Sequence, residues 1–255
     1  MGHATFLRGA SKRNLQFPDF FVMEIPDEGP QKCTAVVIVQ DQGKTNKFGK
    51  ITYSAFFRHK NPLLCPVGAF GFWLLSRFHL ANEDFPDFMR NKNWYDIHVL
   101  LGESTGKRKQ RKMDENGRVI LNELGKPSWE TVEVDPRKTP ITYNTQYNAY
   151  KRGMQACGIH ITTVTHSNRK SAPAIATRDG APDASARRMG HWSHGTMEAC
   201  YLSGELPYET MRVVAGFNAG GGTYYLHRAT IEAPDSLKRR IFPEADRWMA
   251  MYENA

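Results

Sequence analysis

The sequence is poor in the features that mark secreted, disulfide-rich and membrane proteins. Its 255 residues include four cysteines, which are scattered and form no CxxC pair, so neither a disulfide framework nor a zinc knuckle is indicated. The longest uncharged apolar stretch, Val67–Leu75, is far shorter than the roughly 20 residues of a membrane-spanning helix. No charged segment followed by an apolar one opens the chain, so we expect no secretory signal. These absences predict a soluble globular protein of a reducing compartment.

Positive charge predominates. Lys and Arg number 34 against 26 Asp and Glu, which gives a net charge of +8 at pH 7. With 40% hydrophobic residues the chain can bury a core, and its charge favours a polyanionic partner. The segment 103–118 is predicted to be a polar loop, which is either a solvated basic turn or a patch for DNA contact or nuclear targeting. Its densest cations are Lys107, Arg108, Lys109, Arg111 and Lys112.

The spacing of apolar residues predicts an α+β fold that is mainly helical with a small antiparallel sheet. A β-branched run within 31–40 predicts a strand, and Ile51–Phe57 predicts its return after a basic turn that contains Gly43 and Gly49. Helices are predicted over 3–15, 66–80, 140–157 and 235–252. Short helices broken at glycines are predicted from His166 onward.

The residues best suited to chemistry lie between 165 and 201. His166 and Arg169 are three positions apart, so they share one face at the start of a helix. Trp192 follows, and Tyr201 lies nine residues beyond it. Each residue alone has a structural alternative, such as a helix-start network for the first two or core packing for the aromatics. The evidence for a functional site therefore lies in the combined spacing of these four residues and not in any one of them.

That set resembles the tyrosine recombinases, in which an HxxR box precedes a His or Trp and then a nucleophilic Tyr. Leu7-Arg8 resembles the first arginine box of that family, and Gly43-Lys44 resembles the hairpin that carries its catalytic Lys. Further segments resemble the Crypton-type recombinases of fungi and the related DNA-binding domain (domain two) of the fungal centromere-binding inner-kinetochore subunit. These segments are 43–49, 58–69, 211–217, 225–229 and 241–243.

The resemblance implies one recombinase-like domain over 1–255, with 81–139 as a long insertion and without the helical domain that clamps the other face of DNA. It also implies double-stranded DNA as partner, a homo-oligomer on that DNA, and a nuclear location. No cofactor, metal or membrane is expected. His191, His194 and Cys200 could suggest a metal site, but the sequence offers no fourth ligand.

The resemblance assigns roles in attack on a DNA phosphodiester. Arg8 and Arg169 would hold the non-bridging oxygens, because a guanidinium can bind them bidentately. His166 would take the proton of Tyr201, which would form a 3′-phosphotyrosyl intermediate. Lys44 would protonate the departing 5′ oxygen.

Two of these assignments have rivals, and the DNA-binding set is wider. Lys47 is the alternative to Lys44, and His191 is the alternative to Trp192, whose indole N–H would donate to the phosphate. The residues expected to grip DNA are Lys47, Lys50, Arg58, Lys107, Arg108, Lys109, Arg111, Lys112 and Lys170.

Three hypotheses follow from the sequence. The first is a DNA strand-cleaving and rejoining enzyme of the tyrosine-recombinase type. The second is a non-catalytic DNA-binding module of a centromere, kinetochore or other chromosomal protein, which uses the same basic cleft. The third is a transposon remnant that has lost both properties.

Overall fold

A computed structural model describes residues 2–41, 49–101, 106–192 and 205–253, apart from the side chains of Arg108, Trp248 and Tyr252. The helices in these ranges are α1 (Gly2–Thr5), α2 (Gly9–Asn14), α3 (Pro66–Leu75), α4 (Tyr143–Ala156), α5 (Ser167–Arg178), α6 (Asp183–Met189), α7 (Tyr208–Val214), α8 (Asp235–Ile241) and α9 (Ala245–Glu253). The strands are β1 (Phe20–Ile25), β2 (Cys33–Gln40), β3 (Thr52–Phe57), β4 (Lys107–Arg111) and β5 (Trp129–Glu133). The predicted α+β class is confirmed.

The larger sheet has the order β1-β2-β3, and both pairings are antiparallel. The β-branched run of β2 explains its central place, because such side chains pack well on a pleated surface. Val37 lies opposite Phe21 on one side and Ala55 on the other. The two strands predicted from the sequence are confirmed, whereas β1 was missed because its apolar residues do not alternate with polar ones.

The sheet separates two buried clusters. On one face, Ala35 and Val37 belong to the same cluster as Ala172, Met189 and Met211 from α5, α6 and α7. The opposite face carries a smaller cluster of Leu7, Leu15, Ile38, Phe56 and Val99, with aromatic residues of α3 packed against it. Alternate side chains of a strand point to opposite faces, so the sheet contributes to both clusters.

The single helix predicted over 3–15 is wrong. Phe6 has a φ of 50°, so α1 ends before it, and α2 starts again after Arg8, which is extended. Phe6 is completely buried, and its carbonyl accepts a hydrogen bond from Arg169. The side chain of Arg169, which is distant in sequence, therefore stabilises the helix break at Phe6. The local spacing of apolar residues does not reveal this break.

The prediction of a polar loop over 103–118 is also wrong in part. Residues Lys107–Arg111 form strand β4, which pairs with β5 as an exposed antiparallel ribbon. Its polar sequence has no apolar alternation to indicate a strand, because neither face of the ribbon is fully buried. The ribbon lies within the segment predicted as an insertion, and that division of the chain stays a prediction.

The terminal helix predicted over 235–252 consists of two helices, α8 and α9. The break includes Pro243, which lacks the N–H needed to continue a helix. In the described part of the chain, no helix is long and apolar enough to cross a membrane.

A buried arginine attaches the segment after α3 to the core. Arg77 forms an ion pair with Glu83, with Nη2 to Oε1 at 2.5 Å, and its Nη1 donates to the carbonyls of His98 at 2.7 Å and Val99 at 3.0 Å. The same Val99 carbonyl accepts the indole N–H of Trp73 at 2.7 Å. These bonds position the segment that leads to the ribbon.

A second buried ion pair joins the β1–β2 connection to α7. Arg212 donates to both carboxylate oxygens of Glu28 at 2.7 Å, and its Nη1 donates to the carbonyl of Ala219 at 2.8 Å. The side chain of Glu28 is only 2% exposed, so removal of the carboxylate would leave a mostly buried guanidinium without its counter-charge.

We expect Glu28→Ala to lower the free energy of unfolding by about 3 kcal/mol, because it removes the buried carboxylate that accepts two hydrogen bonds from Arg212. Urea denaturation measures this loss. The matched control is Glu24→Ala, which removes the partner of Lys32 from a pair whose side chains are 54% and 70% exposed. That variant should change stability by less than about 1 kcal/mol. Equal losses in the two variants would contradict the importance given to the buried pair.

Candidate functional site

Arg169 connects three separate segments of the chain. It lies in the first turn of α5, where its Nη1 donates to the carbonyl of Phe6 and its Nη2 donates to the carbonyl of Gly190 at 2.6 Å. Its guanidinium carbon lies 4.5 Å from the centroid of the Trp192 ring, within the range of a cation–π contact. The planar fork thus fixes the α1–α2 corner and the end of α6 against α5.

The turn after α6 places Trp192 on this guanidinium. Gly190 follows the last residue of the helix, and His191 has a left-handed φ of 52°. A Cβ on Gly190 would lie 2.1 Å from the indole of Trp192, so only glycine leaves room for the ring there. Trp192 also lies 6.5 Å from the ring of Phe6, which closes the cluster on its other side.

His191 points into the sheet. Its Nε2 lies 3.0 Å from the amide nitrogen of Gln40 on β2 and 3.0 Å from the hydroxyl of Ser54 on β3. Because an amide nitrogen can only donate, Nε2 is the acceptor and the neutral ring carries its proton on Nδ1. Burial, and then the positive charges of Arg169 and Arg8, lower the pKa of His191 to about 4.

Arg8 is the second cation of the site. It immediately precedes α2, and its charge lowers the pKa of both Arg169 and His191. Burial, followed by the charge of Arg8, lowers the pKa of Arg169 to about 10, so Arg169 remains charged at neutral pH. No carboxylate pairs with Arg169 in the ranges that the structure describes. Two like charges in a partly buried site favour the binding of an anion between them.

The family model for the centromere DNA-binding protein complex CBF3 subunit, domain 2, matches residues 1–255. The chain belongs to this family. No curated protein shows significant similarity to it. The family agrees with the centromere-binding branch of the resemblance found in the sequence.

In this member of the CBF3 subunit domain 2 family, three of the predicted site residues come together. Arg8, Arg169 and Trp192 form the cluster described above, whereas the ring of His166 is exposed at the start of α5. Lys44 and Tyr201 fall outside the described residues, so their predicted roles stay predictions. The same holds for Lys47, and for the His194 and Cys200 considered as metal ligands.

The other predicted DNA contacts lie on three parts of the chain. Lys50 precedes β3 and Lys170 lies on α5, and both are exposed. Arg58 is half-buried just after β3. The remaining residues are on or beside the ribbon: Lys107, Arg108, Lys109, Arg111 and Lys112.

The ribbon concentrates cations on one face. Alternation along β4 places Lys107, Lys109 and Arg111 on the same side. Arg111 lies opposite Trp129 on β5, and its guanidinium carbon is 6.0 Å from the centroid of that exposed indole. The face carries these three cations, the aromatic ring and Glu133, which lies opposite Lys107. Its cations and ring can contact both phosphates and bases.

Sequence analysis missed the polar partners of His191. From the sequence, His191 was a rival of Trp192 and a possible metal ligand, whereas the structure gives His191 and Trp192 different places, one against the sheet and one on Arg169. Gln40 and Ser54 belong to strands that the sequence predicted, and Ser54 is a buried polar residue in an otherwise apolar stretch of β3. The hydroxyl of Ser54 was therefore the one sign in the sequence that this strand needs a buried polar partner, since buried polar groups are hydrogen-bonded.

We expect His191 to make stability depend on pH. Its folded pKa of about 4 lies below its ordinary value of 6.5, so the folded state favours the neutral ring. The contribution is complete above pH 6.5 and is lost as pH falls toward 4, by up to about 3 kcal/mol. Urea denaturation between pH 7 and pH 4 should show a shallower decline for His191→Gln than for the unmodified chain. Parallel curves would contradict a buried neutral His191.

Proposed function

We propose that this chain is a double-stranded DNA-binding module of a centromere or kinetochore protein, and that it holds the phosphate backbone without cleaving it. The observation that carries the proposal is the Arg8–Arg169 pair, two adjacent cations with no carboxylate on Arg169 in the described part of the chain. The family to which the chain belongs is described as centromere DNA-binding, which supports the same ligand. A nuclear location and a homo-oligomer on DNA belong to this proposal.

A DNA phosphate is the anion that this cluster of cations would bind. A phosphate oxygen beside Arg8 and Arg169 would offset the repulsion between their charges. Arg169 is held by two backbone carbonyls, so little side-chain freedom is lost when the anion binds.

The ribbon provides a second contact in this proposal. Lys107, Lys109 and Arg111 project from one face of a two-stranded element, and such an element fits the major groove of B-DNA. Lys170, exposed on α5 beside Arg169, extends the cationic surface near the first cluster. Contacts of this kind bind the backbone of any sequence and give affinity that falls steeply with salt.

Fluorescence anisotropy with a labelled duplex, repeated over a range of salt concentrations, tests the proposal. We expect Arg8→Gln to weaken binding about tenfold and to reduce the slope of log affinity against log salt by about one. The triple variant Lys107→Gln, Lys109→Gln and Arg111→Gln should reduce that slope by about three, since each lost phosphate contact removes about 0.9.

The matched control removes three cations from α8 by Lys238→Gln, Arg239→Gln and Arg240→Gln. Lys238 and Arg239 already pair with carboxylates at 2.9 Å, so we expect the salt slope to stay unchanged. If the salt slope fell equally in the control and in the ribbon variant, the binding would depend on net charge alone and not on the ribbon. Failure of the unmodified chain to bind duplex at low salt would overturn the proposal and favour a remnant without function.

A second candidate function is DNA strand cleavage through Tyr201. It is favoured by the assembly of Arg8, Arg169 and Trp192, the positions that the tyrosine-recombinase resemblance assigns to phosphate binding. In that reaction the Tyr201 oxygen would form a bond to phosphorus, and the 5′ oxygen would leave with a proton from Lys44. Against it, Arg169 donates to two carbonyls and carries the indole on its face, which limits bidentate binding of the reacting phosphate.

A covalent-trapping assay separates the two functions. Nicked duplex DNA is incubated with the unmodified chain and with Tyr201→Phe, and then run on native and denaturing gels. We expect both proteins to shift the DNA on the native gel and neither to form an adduct that survives denaturation. An adduct from the unmodified chain alone would establish Tyr201 as a nucleophile and replace the binding-only proposal.

A further inference from the structure

A groove outside the Arg8–Arg169 cluster lies between the end of β3 and the start of α3. It is an open cavity of about 470 Å³. Two arginines and several apolar groups line it, and among the described residues no carboxylate does. The lining residues are Arg58, Pro62, Cys65, Val67, Gly68, Phe72 and Arg228.

One of the two arginines is held in place by the backbone. Arg228 donates from Nη1 to the carbonyl of Lys60 at 2.9 Å and from Nη2 to the carbonyl of His59 at 2.5 Å. These bonds hold a cation at the groove without neutralising it, because carbonyls carry no net charge. Arg58 adds a second positive charge to the lining, and the groove also borders the start of α3, where the helix dipole favours anions.

Large apolar side chains are exposed in the same segment: Phe72 lines the cavity, and Leu63 and Leu64 lie between its lining residues Pro62 and Cys65 in the sequence. Leu63 is 91% exposed, Leu64 is 65% exposed and Phe72 is 73% exposed. Exposed apolar residues that occur singly need no explanation, but three within ten positions beside a cavity mark an interaction surface. Duplex DNA presents mainly phosphates and sugars at its surface, which would leave these side chains uncovered.

We propose that this groove binds an acidic peptide segment of a partner protein, with a bulky apolar side chain at its centre. The apolar side chain would enter beside Val67 and Phe72, and flanking carboxylates would pair with Arg58 and Arg228. Charge complementarity to the two arginines identifies the peptide as acidic. Its central apolar side chain is inferred because the exposed apolar residues of the groove need an apolar partner to cover them. This assignment places Arg58 in a protein contact, whereas the sequence alone predicted a DNA contact.

The combination suits a short recognition segment. A few aromatic and arginine anchors supply most of the affinity at protein interfaces, and this groove contains both kinds. Arg228 needs no reordering when a carboxylate binds, since its two carbonyl partners already hold it. None of the lining residues belongs to the Arg8–Arg169 cluster, so the inference allows a partner to bind while DNA is held.

Selection from a display library of short random peptides, with the intact chain as target, tests this inference. We expect the enriched peptides to share a Leu, Phe or Trp flanked by Asp or Glu. Synthetic copies should bind the unmodified chain and should bind Phe72→Ala and Arg58→Gln about tenfold more weakly. Leu124→Ala, which removes another exposed apolar side chain far along the sequence, should leave the affinity unchanged.

Three results would overturn the inference. They are the absence of enriched peptides, equal affinity of the enriched peptides for Phe72→Ala and the unmodified chain, or displacement of those peptides by duplex DNA from the unmodified chain. The DNA-binding proposal is judged separately, because Phe72→Ala should bind duplex like the unmodified chain. A chain that binds peptide and no duplex would overturn only the DNA-binding proposal.

Discussion

The bonds from Arg169 to the carbonyls of Phe6 and Gly190 determine how the candidate site is assembled. One planar guanidinium joins the corner between α1 and α2 to the turn after α6, and it offers a face on which Trp192 lies. A lysine could not replace it, because an ammonium group lacks both the fork and the flat face. In the described part of the chain the partners of Arg169 are carbonyls and an indole, so its positive charge beside Arg8 is the basis of the proposed phosphate contact.

The sequence was most informative where a pattern depends on neighbouring residues. The β-branched run identified β2, and the spacing of His166, Arg169 and Trp192 pointed to the helix and turn that build the cluster. It failed where distant groups decide the conformation. The break at Phe6 depends on a donor from α5, the ribbon depends on pairing between two polar segments, and the direction of His191 depends on Gln40 and Ser54. None of these contacts leaves a periodic signal in the sequence.

The two proposed surfaces use arginine in different surroundings. Arg8 and Arg169 lie in a partly buried cluster with a neutral histidine and an indole already packed on the guanidinium, which suits a compact oxyanion. Arg58 and Arg228 lie among exposed apolar side chains, which suits a ligand that has both negatively charged and apolar groups. The same side-chain type can therefore select nucleic acid at one place and protein at another, according to what it is packed against.

The contact between Gly190 and the Trp192 ring limits which substitutions this site can accept during evolution. Any side chain at 190 collides with the indole, and without the indole the glycine has no reason to be retained there. The two positions are therefore expected to vary together in related sequences, with larger residues at 190 accompanied by smaller ones at 192. Single-step mutation at either position passes through a poorly packed intermediate, so the pair should persist long after selection on neighbouring surface residues has relaxed.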